Sequence, residues 1–427
     1  MSTILPKKNH FASKKKIFKG IVENFLFPLF PGTGFSNPAM VAPPKRNRDK
    51  LVTAAKGLSQ LNLKSPIDNI YCRIHRVQPF LPEEKIVISY FLQSIERLIN
   101  DWDKPYRSDT ANSVMAEFVS CYISADDNEF LQNLISVFTD WSQQTYEGQR
   151  ISFSIGIDKS AKNAGGVKFM DIIHADFLKL LSNGHDTLLC VSRTGEIIGH
   201  KTLNSPSDHN GLFAPIRYAT IAQWTKNDNK VAITLNRSGE VCIFKDGNIC
   251  FAKRRGSWRY FAHTSVLRQF TSNGMGKRTS EQFRKEIYLT ALDVAFSRTG
   301  GCIGIVNSDK KKKLKLDGIV ADQDCFSTKS DNNKVDFLKN IVGGRKFQEI
   351  DRLLRLELIS IDGSTVIDHE GNFLSVGAIL TVTGGSSGGG RQLAAETIAE
   401  FGLGIKISND GYITIIDRDK KMIATLA

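Results

Sequence analysis

The residues best suited to chemistry lie near the C-terminus. Five glycines fall within seven residues, Gly384 to Gly390, and Arg391 follows them directly. A turn of this kind can aim several backbone N–H groups at one anion. A helix starting behind it adds the positive end of its dipole. Arg391, on the first turn of that helix, can fork its guanidinium onto phosphate oxygens. Upstream, Asp362 of Asp362-Gly363-Ser364 can hold a divalent cation against the same phosphates. Each feature has a plainer reading: a flexible connector for the glycines, an ordinary turn for the Asp-Gly pair. Together they point to an anion site.

The elements around these residues follow from periodicity. The stretch Ile359 to Ile416 predicts a strand ending in Asp362-Gly363-Ser364, a second over Thr365–Asp368 and a third over Phe373–Leu380. The turn between the last two runs through Glu370-Gly371-Asn372. A helix opening at Arg391 carries Leu393, Ala394, Ile398 and Phe401 on one face. Two more strands, Leu403–Ile407 and Tyr412–Ile416, meet at Asn409-Asp410-Gly411. Before this block, a helix is expected over Glu281–Ser297, a strand over Cys302–Val306 and a helix over Val335–Leu354. The lysines 310–313 and 315 and the polar residues 322–335 read as loops.

The block resembles a diadenylate cyclase (DAC) domain. Such domains carry an Asp-Gly-Ala motif and, after a loop, an Arg-His-Arg motif that opens a helix. Asp362-Gly363-Ser364 stands at the first and Arg391-Gln392-Leu393 at the second. The Arg298-Thr299-Gly300-Gly301 turn resembles the family's Thr-Gly turn. Val376 to Leu380 and the glycine loop are similar to the divergent variants called DACNV, proposed nucleotide sensors. The resemblance covers about residues 279–424, a third of the chain. It implies nucleotide contacts from Gly363, Ser364, Gly388, Gly389, Gly390, Arg391 and Gln392. It also implies a metal role for Asp362, with Mg or Mn arriving alongside bound nucleotide, and a catalytic role for Asp362 only in an active enzyme. In active domains two ATP molecules are joined into cyclic di-AMP between two facing copies, so a homodimer or higher homo-oligomer is implied. Here Gln392 replaces the motif's His, Leu393 replaces its second Arg, and Gly390 stands where the family has Thr. The loss of that Arg removes a cation where phosphate charge must be neutralised. The resemblance therefore implies a nucleotide-binding sensor, for ATP or a cyclic dinucleotide, without turnover. Active synthesis of cyclic di-AMP is the alternative.

The remaining chain bounds the other readings. Its 427 residues, 41% hydrophobic and 24% charged, suffice for two or three domains. The net charge is +13, and residues 1–60 hold eleven Lys/Arg against two acids. Residues 1–50 therefore read as a flexible basic extension. It is either a solvated tail or a contact for nucleic acid or an anionic surface. No run is long enough to span a membrane. Seven scattered cysteines without a CxxC pair fit reduced thiols in a cytoplasmic protein. Neither a Walker A motif, a G-x-S-x-G elbow nor an H-E-x-x-H pair occurs.

Residues 51–150 show helical spacing, as in Ile88, Phe91, Leu92, Ile95 and in Leu131, Leu134, Ile135, Phe138. From 151 to 270 the period changes to two, with matching hairpins at Thr187–Lys201 and Val231–Lys245. Lys253-Arg254-Arg255-Gly256-Ser257-Trp258-Arg259-Tyr260 interleaves cations with aromatics. It is either a nucleic-acid surface or a strand end whose rings pack inward while its cations are solvated. The expected fold is α/β: a DAC-like mixed sheet flanked by helices over 279–427, preceded by a β-rich meander domain and an N-terminal helical region.

Overall fold

The computed structural model describes residues 7–419 and 422–426, apart from 56, 58, 78, 104–106, 125–128, 163–164, 205–210, 228, 273–278, 308–317, 328–332 and 382–388. The fold is α/β. The chain divides into two compact units, Met1–Leu212 with Tyr218–Phe261, and Phe213–Arg217 with Ala262–Ala427. Among the described residues no helix is long and apolar enough to cross a membrane.

Unit 1 begins with a helix, α1 (Lys7–Ile21), continued by a π-helical turn over Val22–Leu26 and a short turn over Phe27–Leu29. Phe18, Ile21, Val22, Leu26 and Leu29 stand at i, i+3, i+4, i+8 and i+11, and all are fully buried. Lys15, Lys16 and Lys19 lie on the exposed side. From Lys7 on, this corrects the flexible extension expected for residues 1–50. The apolar stripe, which follows Lys14-Lys15-Lys16 and encloses Lys19, ties the segment into the core. Pro28 sits near the start of its short turn, where a missing N–H costs nothing.

Strands β1 (Gly34–Phe35), β2 (Val52–Ala54), β3 (Gln60–Lys64) and β4 (Tyr71–His75) form an antiparallel sheet in the order β1-β4-β3-β2. The helical expectation for residues 51–150 therefore fails at its start. Leu61 and Leu63, and Cys72 and Ile74, alternate with more polar residues, which suits short strands. Helices α2 (Pro82–Ser94), α3 (Arg107–Ser124) and α4 (Glu129–Trp141) follow. The hairpin β5 (Thr145–Tyr146) and β6 (Gln149–Arg150) leads into β7 (Phe153–Asp158), β8 (Thr187–Ser192), β9 (Ile197–Thr202), β10 (Lys230–Leu235), β11 (Val241–Lys245), β12 (Asn248–Arg254) and β13 (Ser257–Tyr260). These last seven form one sheet, ordered β13-β12-β11-β10-β7-β8-β9. Only β10 to β13 run as a meander; β7 enters beside β10 and pairs with β8 in parallel.

Phe91 of α2 meets Phe118 of α3 edge to face, and Phe118 meets Phe251 of β12 in the same way. The helices and the seven-stranded sheet thus share one continuous core, which also takes in α1. The helical region and the β-rich region, expected as separate domains, are parts of one unit. Each has an apolar face that the other helps to cover.

Unit 2 contains α5 (Glu281–Ser297), β14 (Gly301–Val306), α6 (Asn333–Val342), α7 (Arg352–Ser360), β15 (Ser364–Asp368), β16 (Phe373–Ala378), α8 (Gly390–Ala399), β17 (Gly402–Ile407), β18 (Ile413–Ile416) and β19 (Met422–Leu426). The six strands are ordered β16-β15-β14-β17-β18-β19; β14 and β15 are parallel and every other pair is antiparallel. The long helix expected over Val335–Leu354 is broken. It stops before Gly343 and Gly344, both at positive φ, and α7 restarts behind Asp351, whose carboxylate accepts from the N–H groups of Leu353 and Leu354. Part of the polar 322–335 segment is ordered too. Asp322–Asp324 forms a 3-10 turn, and Asp324 accepts from the Ile379 N–H. The lysines 310–313 and 315 lie outside the described residues.

The stretch Phe213–Arg217 belongs to unit 2 although unit 1 flanks it in sequence. Phe213 stacks on His263, Ile216 donates its N–H to Asp293 Oδ1, and Ala214 O accepts from Arg352 Nη2.

Candidate functional site

Asp362 is exposed, in the bend between α7 and β15. The strand expected to end at this motif is helix α7 instead, so Asp362 stands before a strand rather than after one. The RLLRLELIS run presents Leu358 and Ile359 inward from a helix capped by Asp351. Gly363 has φ +104°, and a β-carbon there would lie 2.6 Å from the carbonyl carbon of Gly377. Only glycine lets the chain turn this tightly against β16. Ser364 is buried at the start of β15, paired with Ala378 of β16.

Across the same cleft, Gly389 takes φ +79° and precedes α8. The first intrahelical bonds are donated by Gln392 and Leu393, both to Gly389 O. The amides of Gly390 and Arg391 therefore head the helix, where the dipole is positive. Ala395, Ile398 and Ala399 bury the opposite side of α8 in the unit's core and so fix that end. Gly388 lies outside the described residues.

One cleft of 710 Å³ is lined by Asp362, Gly363, Ser364, Gly390, Arg391 and Leu393. The remaining wall includes Ile379, Leu380 and Ala394, with Lys406, Asn409 and Asp410 from the β17–β18 hairpin. Gln392 is not in the lining; its amide donates to Glu396 Oε1 at 2.6 Å. Arg391 donates from Nη1 to Asn409 Oδ1. Cys302 of β14 forms part of the floor, its thiol pushed up to about 11 by burial, with Ser364 and Arg391 pulling the other way. Charge and apolar surface thus meet in one concavity. It can take an anion at Arg391 and a flat apolar group against Leu393 and Ile379.

Sequence reasoning missed Cys302, Lys406, Asn409 and Asp410 as lining residues. Asn409 and Asp410 read only as turn formers, and the alternating pattern of β17 gives no sign of which way Lys406 faces.

The rings of the 253–260 patch pack inward, but its cations are not all solvated as that reading expects. Arg254 Nε is buried against Glu240 Oε1 at 2.6 Å, Trp258 is only 5% exposed, and Arg259 Nη1 donates to Pro28 O. Trp258 is in the core, and Tyr260 is half-buried against it. Lys15 and Arg48 of the basic N-terminal stretch line a separate cavity of 480 Å³ with Met40, Asn69 and Tyr71.

No family model matches the chain, and no curated protein matches it. Solved structures do. A double mutant of DacA from Staphylococcus aureus aligns at 16% identity over 32% of this chain and 81% of its own, with a TM-score of 0.22. A hypothetical membrane spanning protein from Bacillus cereus aligns at 14% identity over 39% of this chain and 71% of its own, with a TM-score of 0.27.

Proposed function

We propose that unit 2 is a nucleotide-binding sensor built on a DAC-like domain that does not turn its ligand over. The observation that carries this reading is the common lining of one cleft by Asp362, Ser364, Arg391 and Leu393. Arg391 and the amides heading α8 supply phosphate recognition. Leu393, Ile379 and Ala394 supply an apolar wall for a base. Leu393 occupies the place of the second arginine in the motif that this sequence resembles, so no guanidinium stands there to neutralise charge developing at a transferring phosphate.

Among the described residues no three His, Cys, Asp or Glu side chains gather as a metal cluster. Asp362 can still hold a Mg or Mn ion that shares its coordination with the ligand's own phosphate oxygens, the usual arrangement for magnesium at nucleotides. The ion would screen phosphate charge. Asp362 would orient it, and Arg391 would hold the anion. The resembled domains work as facing pairs, so a homodimer or higher homo-oligomer belongs to the proposal.

The test is native mass spectrometry of the purified full chain for a retained nucleotide. Incubation with ATP and Mg or Mn, read by mass for cyclic products, completes it. Binding without product is expected. Steady multiple-turnover formation of cyclic di-AMP would make the protein an enzyme.

A further inference from the structure

The hydrogen bond from Arg391 to Asn409 sits against the turn that precedes β14. Gly300, at φ +72°, is the residue there, and a β-carbon on it would overlap both Asn409 Oδ1 and Arg391 Nη1. Three separate segments therefore converge: the 298–301 turn, the first turn of α8, and the β17–β18 hairpin. Asn409 is itself fixed by its turn, in which Gly411 donates its N–H to Ser408 O and Asp410 donates its N–H to Ser408 Oγ.

The chemistry of the partner matters. A carboxylate at 409 would hold the guanidinium equally well but would cancel its charge. An amide oxygen holds it and leaves the charge whole. The bond to Asn409 uses one of the five guanidinium N–H donors. A long flexible side chain loses conformational entropy when it grips a ligand, and restraint before binding lowers that cost.

We propose that Asn409 and Gly300 form a neutral clamp that orients Arg391 for an anionic ligand; both are positioning residues. Asn409 holds one edge of the guanidinium, and the bare backbone of Gly300 gives it room to lie there. The proposal rests on the nucleotide reading of the cleft.

The test uses the full-length protein and two readouts. The first needs no ligand: NMR of isotope-labelled arginine side chains follows rotation of the Arg391 guanidinium, with its signal assigned by loss in Arg391→Lys. The second is titration with inorganic phosphate, with ATP and magnesium, and with cyclic di-AMP. In wild type the guanidinium should be held. Asn409→Ala should free it and weaken binding by up to roughly tenfold, the cost of ordering one freed long side chain on binding. Asn409→Asp should keep it held and still weaken binding, because the new carboxylate competes with the ligand. Gly300→Ala should free it like Asn409→Ala. A freely rotating Arg391 in wild type overturns the proposal, as does unchanged affinity in Asn409→Asp. Wild-type protein with a held Arg391 that binds none of the three probes overturns the nucleotide reading and the proposal with it, and differs visibly from failure of the clamp alone.

Discussion

Arg352 grips Asp293 through two hydrogen bonds inside unit 2, Nε to Oδ2 at 2.7 Å and Nη2 to Oδ1 at 2.8 Å. Both side chains are buried. Burial pushes the Asp293 carboxyl above its ordinary range, and the guanidinium pulls it back. Asp293→Ala would leave Arg352 charged, buried and without its main partner. Urea unfolding should show a loss of about 3–5 kcal/mol. Replacing both residues together with apolar ones, Asp293→Leu with Arg352→Met, should cost clearly less. Equal losses would show that the pair is not what holds this region.

Arg391→Ala should weaken nucleotide binding by about 1.5–3 kcal/mol, the range for a hydrogen bond to a charged group. Isothermal titration of ATP with magnesium reads this directly. The fold should be little affected, because Arg391 is half-buried in the cleft wall and its hydrogen bond goes to an exposed hairpin turn.

Leu393→Arg returns a cation to the wall that Leu393 now lines. If the rest of the site and the pairing of two copies are intact, cyclic products should rise above the wild-type background. Mass analysis after incubation with ATP and manganese decides it. No rise together with tighter ATP binding would place the missing catalytic element elsewhere.

Phe18→Ala tests whether the basic N-terminal segment is structural. Phe18 is fully buried in the core of unit 1. Removing its ring should destabilise the protein by about 3–5 kcal/mol, seen as a lower denaturation midpoint. A freely hanging tail would show no change.

The Cys302 thiol sits at about 11, above its ordinary 9.0, so it stays protonated at neutral pH. Alkylation at pH 8 should be slower than for a free cysteine, since the thiolate is the nucleophile. The raised value also sets a pH trend. Between about 9 and 11 the unfolded chain gives up this proton and the folded chain does not, so stability falls as pH rises through that window. Peptide mapping after timed alkylation checks the first statement, and denaturation at several pH values checks the second.

Asp362, Ser364 and Arg391 were legible because charged and small residues at element ends leave marks in a sequence. Asn409 was not. Its contact with Arg391 spans eighteen positions, and an asparagine in a hairpin turn has a sufficient local reason to be there. The stripe of α1 was hidden for a related reason. Lysines flanking Phe18 dominate composition, whereas burial depends on period. The helix expected over 335–354 ran through two adjacent glycines whose positive φ breaks it, a conformation that apolar spacing does not encode. Strand β19 was not expected; it is held by its pairing with β18, which local pattern does not reveal.

The stretch Phe213–Arg217 leaves the ribosome before β10 to β13, yet Asp293 and Arg352, which hold it, are translated much later. At about 5–20 residues per second, it waits for seconds without the partners it will keep. The birth order of the chain and the assembly order of its units therefore differ. A fragment beginning at residue 262 would be synthesised without the peptide groups that Asp293 and Arg352 bind, and should fold less readily than the same residues within the whole chain.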